Sequence, residues 1–203
     1  MTGFARVAGP AALLCFLAAS AIFGAMPDAV ATGFSHLTHP LAWLGARGMS
    51  HAAVFNVTGF VLPGLLAAVG LWSLRPALPT PARWSARLGA QLVVLSALGF
   101  AAQGLFPLDL EDPDGRAASL HATAWIAWWL AFCAGALCLA LGLRREPTHR
   151  RLVAISAAAA VALPLIVFVA PLWLPVALAQ RVAFALWFIW AIAATRRPPL
   201  SRA

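Results

Sequence analysis

Six long apolar runs, separated by short connections, leave this chain very few ways to fold. They cover roughly 7–26, 51–74, 88–107, 119–143, 153–172 and 178–195, and each approaches or exceeds the ~20 apolar residues that an α-helix needs to cross a bilayer. Hydrocarbon offers a backbone no water to bond, so a spanning segment must satisfy its own amides, as a helix does. The expectation is an all-α fold: one polytopic membrane domain over 1–203, a bundle of six transmembrane helices with no soluble module. Composition agrees, with 63% hydrophobic and 10% charged residues and a mean hydropathy of +0.88; about a quarter of a soluble chain is charged.

A net charge of +8 in a soluble protein would point to nucleic acid. Here the charges flank membrane spans, so no nucleic-acid partner is expected and their placement reads as orientation. All fourteen basic residues are Arg. Arg6, Arg75, Arg83, Arg87, Arg144, Arg145, Arg150, Arg151, Arg196, Arg197 and Arg202 fall at the termini and in the second and fourth connections, which six spans place on one side; Arg47, Arg116 and Arg181 fall on the other. Basic flanks stay in the cytoplasm, so both termini are expected inside, in a bacterial inner (cytoplasmic) membrane. Asp28, Asp109, Glu111, Asp112 and Asp114 then lie outside, and Glu146 inside. Residues 1–31 also look somewhat like a secretory signal, with Arg6, an apolar stretch and the small pair Ala29 and Ala31. A retained first helix is expected instead, because its removal would leave five spans and an external N-terminus. Cys15, Cys133 and Cys138 lie in apolar runs without Cys-x-x-Cys spacing and read as small core residues.

The informative stretch is Gly99 to Trp129. An apolar run carrying Gln103 reaches Phe106-Pro107, opens into a loop with Asp109, Glu111, Asp112 and Asp114, and re-enters an apolar run at His121. Ser119 is the expected cap of the fourth helix, and Trp125, Trp128 and Trp129 continue a stripe headed by His121. In the second helix Asn56, Gly59 and Pro63 share a face, with the Asn56 amide roughly 7 Å below the outer end; it reads as an interhelical clamp. The long connection 27–50, with Ser35, His36, His39-Pro40 and Trp43, is expected to lie on the bundle as a lid or part of a site. The fifth helix has Ala157–Ala160 for close packing and Pro164 as a kink. The sixth opens on Gln180-Arg181, where a charge near the apolar zone needs a partner; Asp109 is the expected one.

Asn56, Gln103, Asp109, His121, Gln180 and Arg181 all fall in the outer third of the bilayer, which predicts a cavity opening outward rather than a through-channel. All of these but Gln103 sit in motifs that resemble a family: the bacterial and archaeal membrane proteins grouped as domain of unknown function 998. The likeness rests on Leu44-Gly45-Ala46-Arg47-Gly48, Phe55-Asn56 with Gly59-Phe60-Val61-Leu62, Gly104-Leu105-Phe106-Pro107-Leu108-Asp109, His121 and Gln180-Arg181, in order against six hydrophobic runs. It implies a six-helix bundle in which Asn56, Asp109, His121 and Arg181 matter, and it implies no activity. This chain carries Ser35-His36 and Thr38-His39-Pro40 where the family often has a Ser-Glu pair.

Three functions compete. In the first, the protein binds a membrane lipid or isoprenoid with an anionic headgroup, with or without chemistry on it. Arg181 and Gln180 would hold phosphate or carboxylate, Asn56 and Gln103 would orient it, and His121 paired with Asp109 would move a proton. Ser35, Ser50 and Ser119 are permitted nucleophiles. In the second, His36, His39, His51 and His121 bind a metal or haem, although Pro40 interrupts the His36-x-x-His39 pair. In the third the protein is a non-enzymatic scaffold, a homo-oligomer or the partner of another membrane protein, clamped by an Asn56–Gln103 contact. Alternating-access transport is disfavoured by the short chain and the lack of evident inverted repeats.

Overall fold

The computed structural model describes residues 3–196; Arg197 and Arg202, counted above among the inner charges, lie outside the described residues. All regular structure among the described residues is helical. Six helices are long and apolar enough to cross a membrane: α1 (Gly3–Gly24), α2 (Ala52–Ala77), α3 (Trp84–Leu105), α4 (Arg116–Leu143), α5 (Arg150–Phe168) and α6 (Val176–Thr195). Connections alternate between two ends. One is the Arg-rich end, with 78–83 and 144–149; the other, the rim, gathers 25–51, 106–115 and 169–175.

Helix bounds differ from the apolar runs by a few residues for one reason. Hydropathy marks the part of a helix that sits in hydrocarbon, whereas backbone hydrogen bonding continues through the interface, where Arg side chains reach water. Thus α4 starts at Arg116 and α5 at Arg150. The expected cap at Ser119 is corrected by the same fact: Gly115 precedes the helix, and Ser119 is already inside it, its N–H bonded to the Gly115 carbonyl at 3.0 Å.

Within α2, residues Asn56–Val61 wind as a π-helix before α-helix resumes at Leu62. Pro63 supplies the cause. It has no N–H for the Gly59 carbonyl and its ring crowds that turn, so the preceding turn widens. The widening changes the direction of Asn56 relative to a regular helix.

Packing without a hydrophobic drive between helices relies on close backbone approach and shape. The α3–α4 seam shows it: a Cβ on Gly89 would stand 2.7 Å from the Gly135 carbonyl oxygen, and one on Gly135 would stand 2.9 Å from the Val93 nitrogen. An aromatic cluster fills the centre, bringing together α1, α2, α3, α4 and α6. Phe100 stacks on Trp187 with ring centroids 5.0 Å apart and meets Phe60, Phe184 and Phe188 at angles; Phe16 joins from α1. Trp128, from the stripe below His121, belongs to this core, and Trp129 turns to Phe168 on α5. Helix α5 is peripheral and runs continuously through Pro164. Of Ala157–Ala160 only Ala159 is buried, so that run is not the packing seam its composition suggested. Trp190 Nε1 instead ties α6 to α5 by donating to Ser156 Oγ at 3.2 Å.

Candidate functional site

The rim is assembled from loops pinned to helices. The 25–51 connection folds back over the bundle, and its one-turn helix Leu41–Gly45 is largely buried. Asn56 secures it: Nδ2 donates to the Gly45 carbonyl at 2.8 Å, and a Cβ at Gly45 would collide with the Asn56 carboxamide. Asn56 is therefore a clamp, but from helix to loop. The Asn56–Gln103 contact that the scaffold reading called for is not made as a hydrogen bond. Gln103 is buried on α3 with Nε2 unpartnered, and it lines neither of the clefts described below.

Asp109 is not the partner of Arg181 or of His121. It pairs with Arg47, Nη1 to Oδ2 at 3.1 Å, while Oδ1 accepts from the N–H groups of Glu111 and Asp112. Arg47 N–H also donates to the Leu108 carbonyl at 2.9 Å. The folded-back loop delivers Arg47 to this spot, and so the two rim loops are stapled to each other at an exposed surface. Sequence reasoning treated Arg47 only as a topology mark and a family residue; its role depends on where a loop crosses, which spacing does not reveal.

His121 closes the end of α3. Its Nδ1 faces two carbonyls, Phe106 at 2.8 Å and Gln103 at 3.2 Å. A nitrogen flanked only by acceptors must carry the proton, so the neutral ring is the Nδ1–H tautomer and Nε2 is left as an acceptor. Gln180 lies with it in one cleft of about 340 Å³ between α4 and α6, walled also by Pro40, Leu108, Trp125 and Val167.

Arg181 points to the other flank of α6. Consecutive helical residues lie about 100° apart, which sends Gln180 and Arg181 into different clefts. Arg181 heads a groove of about 460 Å³ between α1 and α6, with Leu13, Phe16, Leu17 and Ser20 on one wall and His36 and Leu41 at the top. Its Nη1 donates to the carbonyls of His39 at 3.0 Å and Ala177 at 2.9 Å, and Nη2 approaches His36 Nδ1 at 3.4 Å. Nε is buried without a partner. Among the described residues the only Arg–carboxylate pair is Arg47–Asp109, so the Arg181 charge is not neutralised within the fold. His36 responds: partial burial first, and the Arg181 charge second, hold its imidazole below the ordinary value. The single hollow expected to hold both Arg181 and His121 is thus two clefts, divided by α6 and the loop residues Leu41 and Ala42.

The outer histidines do not converge. His36 faces Arg181, His39 Nδ1 accepts from Ser35 N–H at 3.1 Å, and His51 packs against Phe23. Among the described residues no three His, Cys, Asp or Glu side chains are grouped to hold a metal ion. Of the candidate nucleophiles, Ser50 donates to Asp28 and Ser35 Oγ accepts from Leu37 N–H; none of Ser35, Ser50 and Ser119 lines either cleft.

Six apolar helices, with clefts opening between them at one end, define an all-helical multi-pass membrane protein. The chain belongs to the family described as protein of unknown function (DUF998), whose model matches residues 7–197, nearly its whole length. Comparison with curated proteins and with solved structures finds no match.

Proposed function

We propose that this protein binds an anionic membrane amphiphile in the α1–α6 groove. The reading is carried by Arg181: a half-buried guanidinium with no carboxylate of its own, placed where an apolar groove meets the rim. A charge so placed is costly unless an anion or headgroup compensates it. A phosphate or carboxylate accepting from Arg181 would supply that compensation, and the chain of the same molecule would lie along Leu13, Phe16 and Leu17. Leu17 is about half exposed to the bilayer side, which gives a lipid a lateral route in.

The rim faces outward in this reading, because the Arg-rich end is retained in the cytoplasm, and the membrane is the inner membrane of a bacterium. His121 and Asp109, far from forming an acid–base pair, act here as a helix cap and a loop staple.

The test is binding of phosphatidylglycerol against phosphatidylcholine to the full chain in nanodiscs, read by native mass spectrometry. Arg181→Gln is expected to lower retention of the anionic lipid about tenfold, the weight of one charge-assisted hydrogen bond, and to leave the neutral lipid unchanged. Equal retention of both lipids by the unaltered protein would remove the proposal.

A further inference from the structure

The α4–α6 cleft asks for a ligand of the opposite kind. It contains His121 and Gln180 among otherwise apolar or small side chains, and it lies across α6 from Arg181. His121 Nδ1 is committed to the carbonyls of Phe106 and Gln103, which leaves Nε2 with a lone pair. Gln180 Oε1 is buried and has no hydrogen-bond partner. Two acceptors therefore meet in one apolar space, and no Arg or carboxylate lines it. An acceptor buried without a donor is expensive, and hydrocarbon chains cannot supply one. An occupant that serves either acceptor must bring a donor, and with no Arg or carboxylate in the lining it is uncharged.

We infer that this cleft is a second binding site, for an amphiphile whose head is a hydroxyl group: the O–H donates to His121 Nε2 or Gln180 Oε1, and its chain lies against Trp125, Val167 and Val176. The inference does not rest on the Arg181 groove, whose cationic head selects the other charge class. Its source is either a free long-chain alcohol or the glycerol hydroxyl of a diacylglycerol. Both present the same O–H.

Photolabelling of the full chain in nanodiscs tests it, with a long-chain alcohol carrying a mid-chain diazirine, a diacylglycerol carrying the same group, and the alcohol's methyl ether. Peptide mass spectrometry should place the adducts on Trp125, Val167 or Val176. Labelling by the free alcohol, the diacylglycerol or both supports the site and identifies the source; labelling by neither overturns it. The ether, which has lost its donor, should label about tenfold less. His121→Asn keeps a donor for the Phe106 carbonyl while deleting Nε2, and Gln180→Leu removes the other acceptor; the variant that deletes the acceptor in use should lower alcohol labelling about as much as the ether does. The alcohol–ether comparison needs no variant, so a fold weakened at His121 would not obscure the outcome. Equal labelling by ether and alcohol, or undiminished labelling in both variants, would sink the site.

Discussion

His36 gains its meaning from one neighbour. Its Nδ1 stands 3.4 Å from the Arg181 guanidinium, and its imidazole is held below the ordinary value by partial burial and then by that charge. At this group the unfolded chain therefore binds more protons than the folded one, so stability is fully present above the ordinary imidazole range and declines as pH falls through the depressed value. An anion at Arg181 offsets the second of those causes, the charge that repels the proton, and so raises the imidazole from its depressed value. Anionic-lipid binding should then take up a proton and tighten as pH falls below the ordinary imidazole range towards the depressed value. Retention of phosphatidylglycerol measured across that range checks this, and His36→Gln should flatten the dependence. A profile that weakens on acidification, or that survives in His36→Gln, would place the proton elsewhere.

At the scale of the helices, glycine placement decides which pairs come close. Gly89 and Gly135 permit α3 and α4 to approach until a Cβ would lie under 3.0 Å from backbone atoms of the facing helix. Gly70, by contrast, has its nearest cross-helix atom at 3.6 Å, ordinary contact distance. Gly89→Ala should cost about 1–3 kcal/mol by forcing the seam apart, whereas Gly70→Ala should be neutral or stabilise by up to about 1 kcal/mol through helix propensity. Unfolding of both variants in mixed micelles, followed by circular dichroism, separates the two. A Gly89→Ala protein as stable as the parent would mean that the seam relaxes without loss.

For the whole molecule, the uneven placement of Arg predicts an orientation, with the Arg-rich end in the cytoplasm and the rim outside. Cysteine introduced at Leu37, exposed on the rim, should react with an impermeant maleimide on intact spheroplasts. A cysteine at Thr148, exposed at the Arg-rich end, should react only after lysis. Both are read in a background lacking Cys15, Cys133 and Cys138, and the opposite pattern would invert the bundle. Six spans and their order were legible in the chain because apolar length is a local property that hydrocarbon enforces on each segment separately. That Asn56 and Arg181 would each need a partner was legible for the same reason: a polar group in an apolar run needs one wherever it points. Which partner was not. Asp109 goes to Arg47, His121 to the end of α3, and neighbouring Gln180 and Arg181 to separate clefts. Those pairings depend on how the 25–51 loop crosses the rim and how α6 is rotated about its axis, and both follow from contacts between segments distant in the chain. The sequence alone determined the spans and the need for partners; only the tertiary packing decided who meets whom.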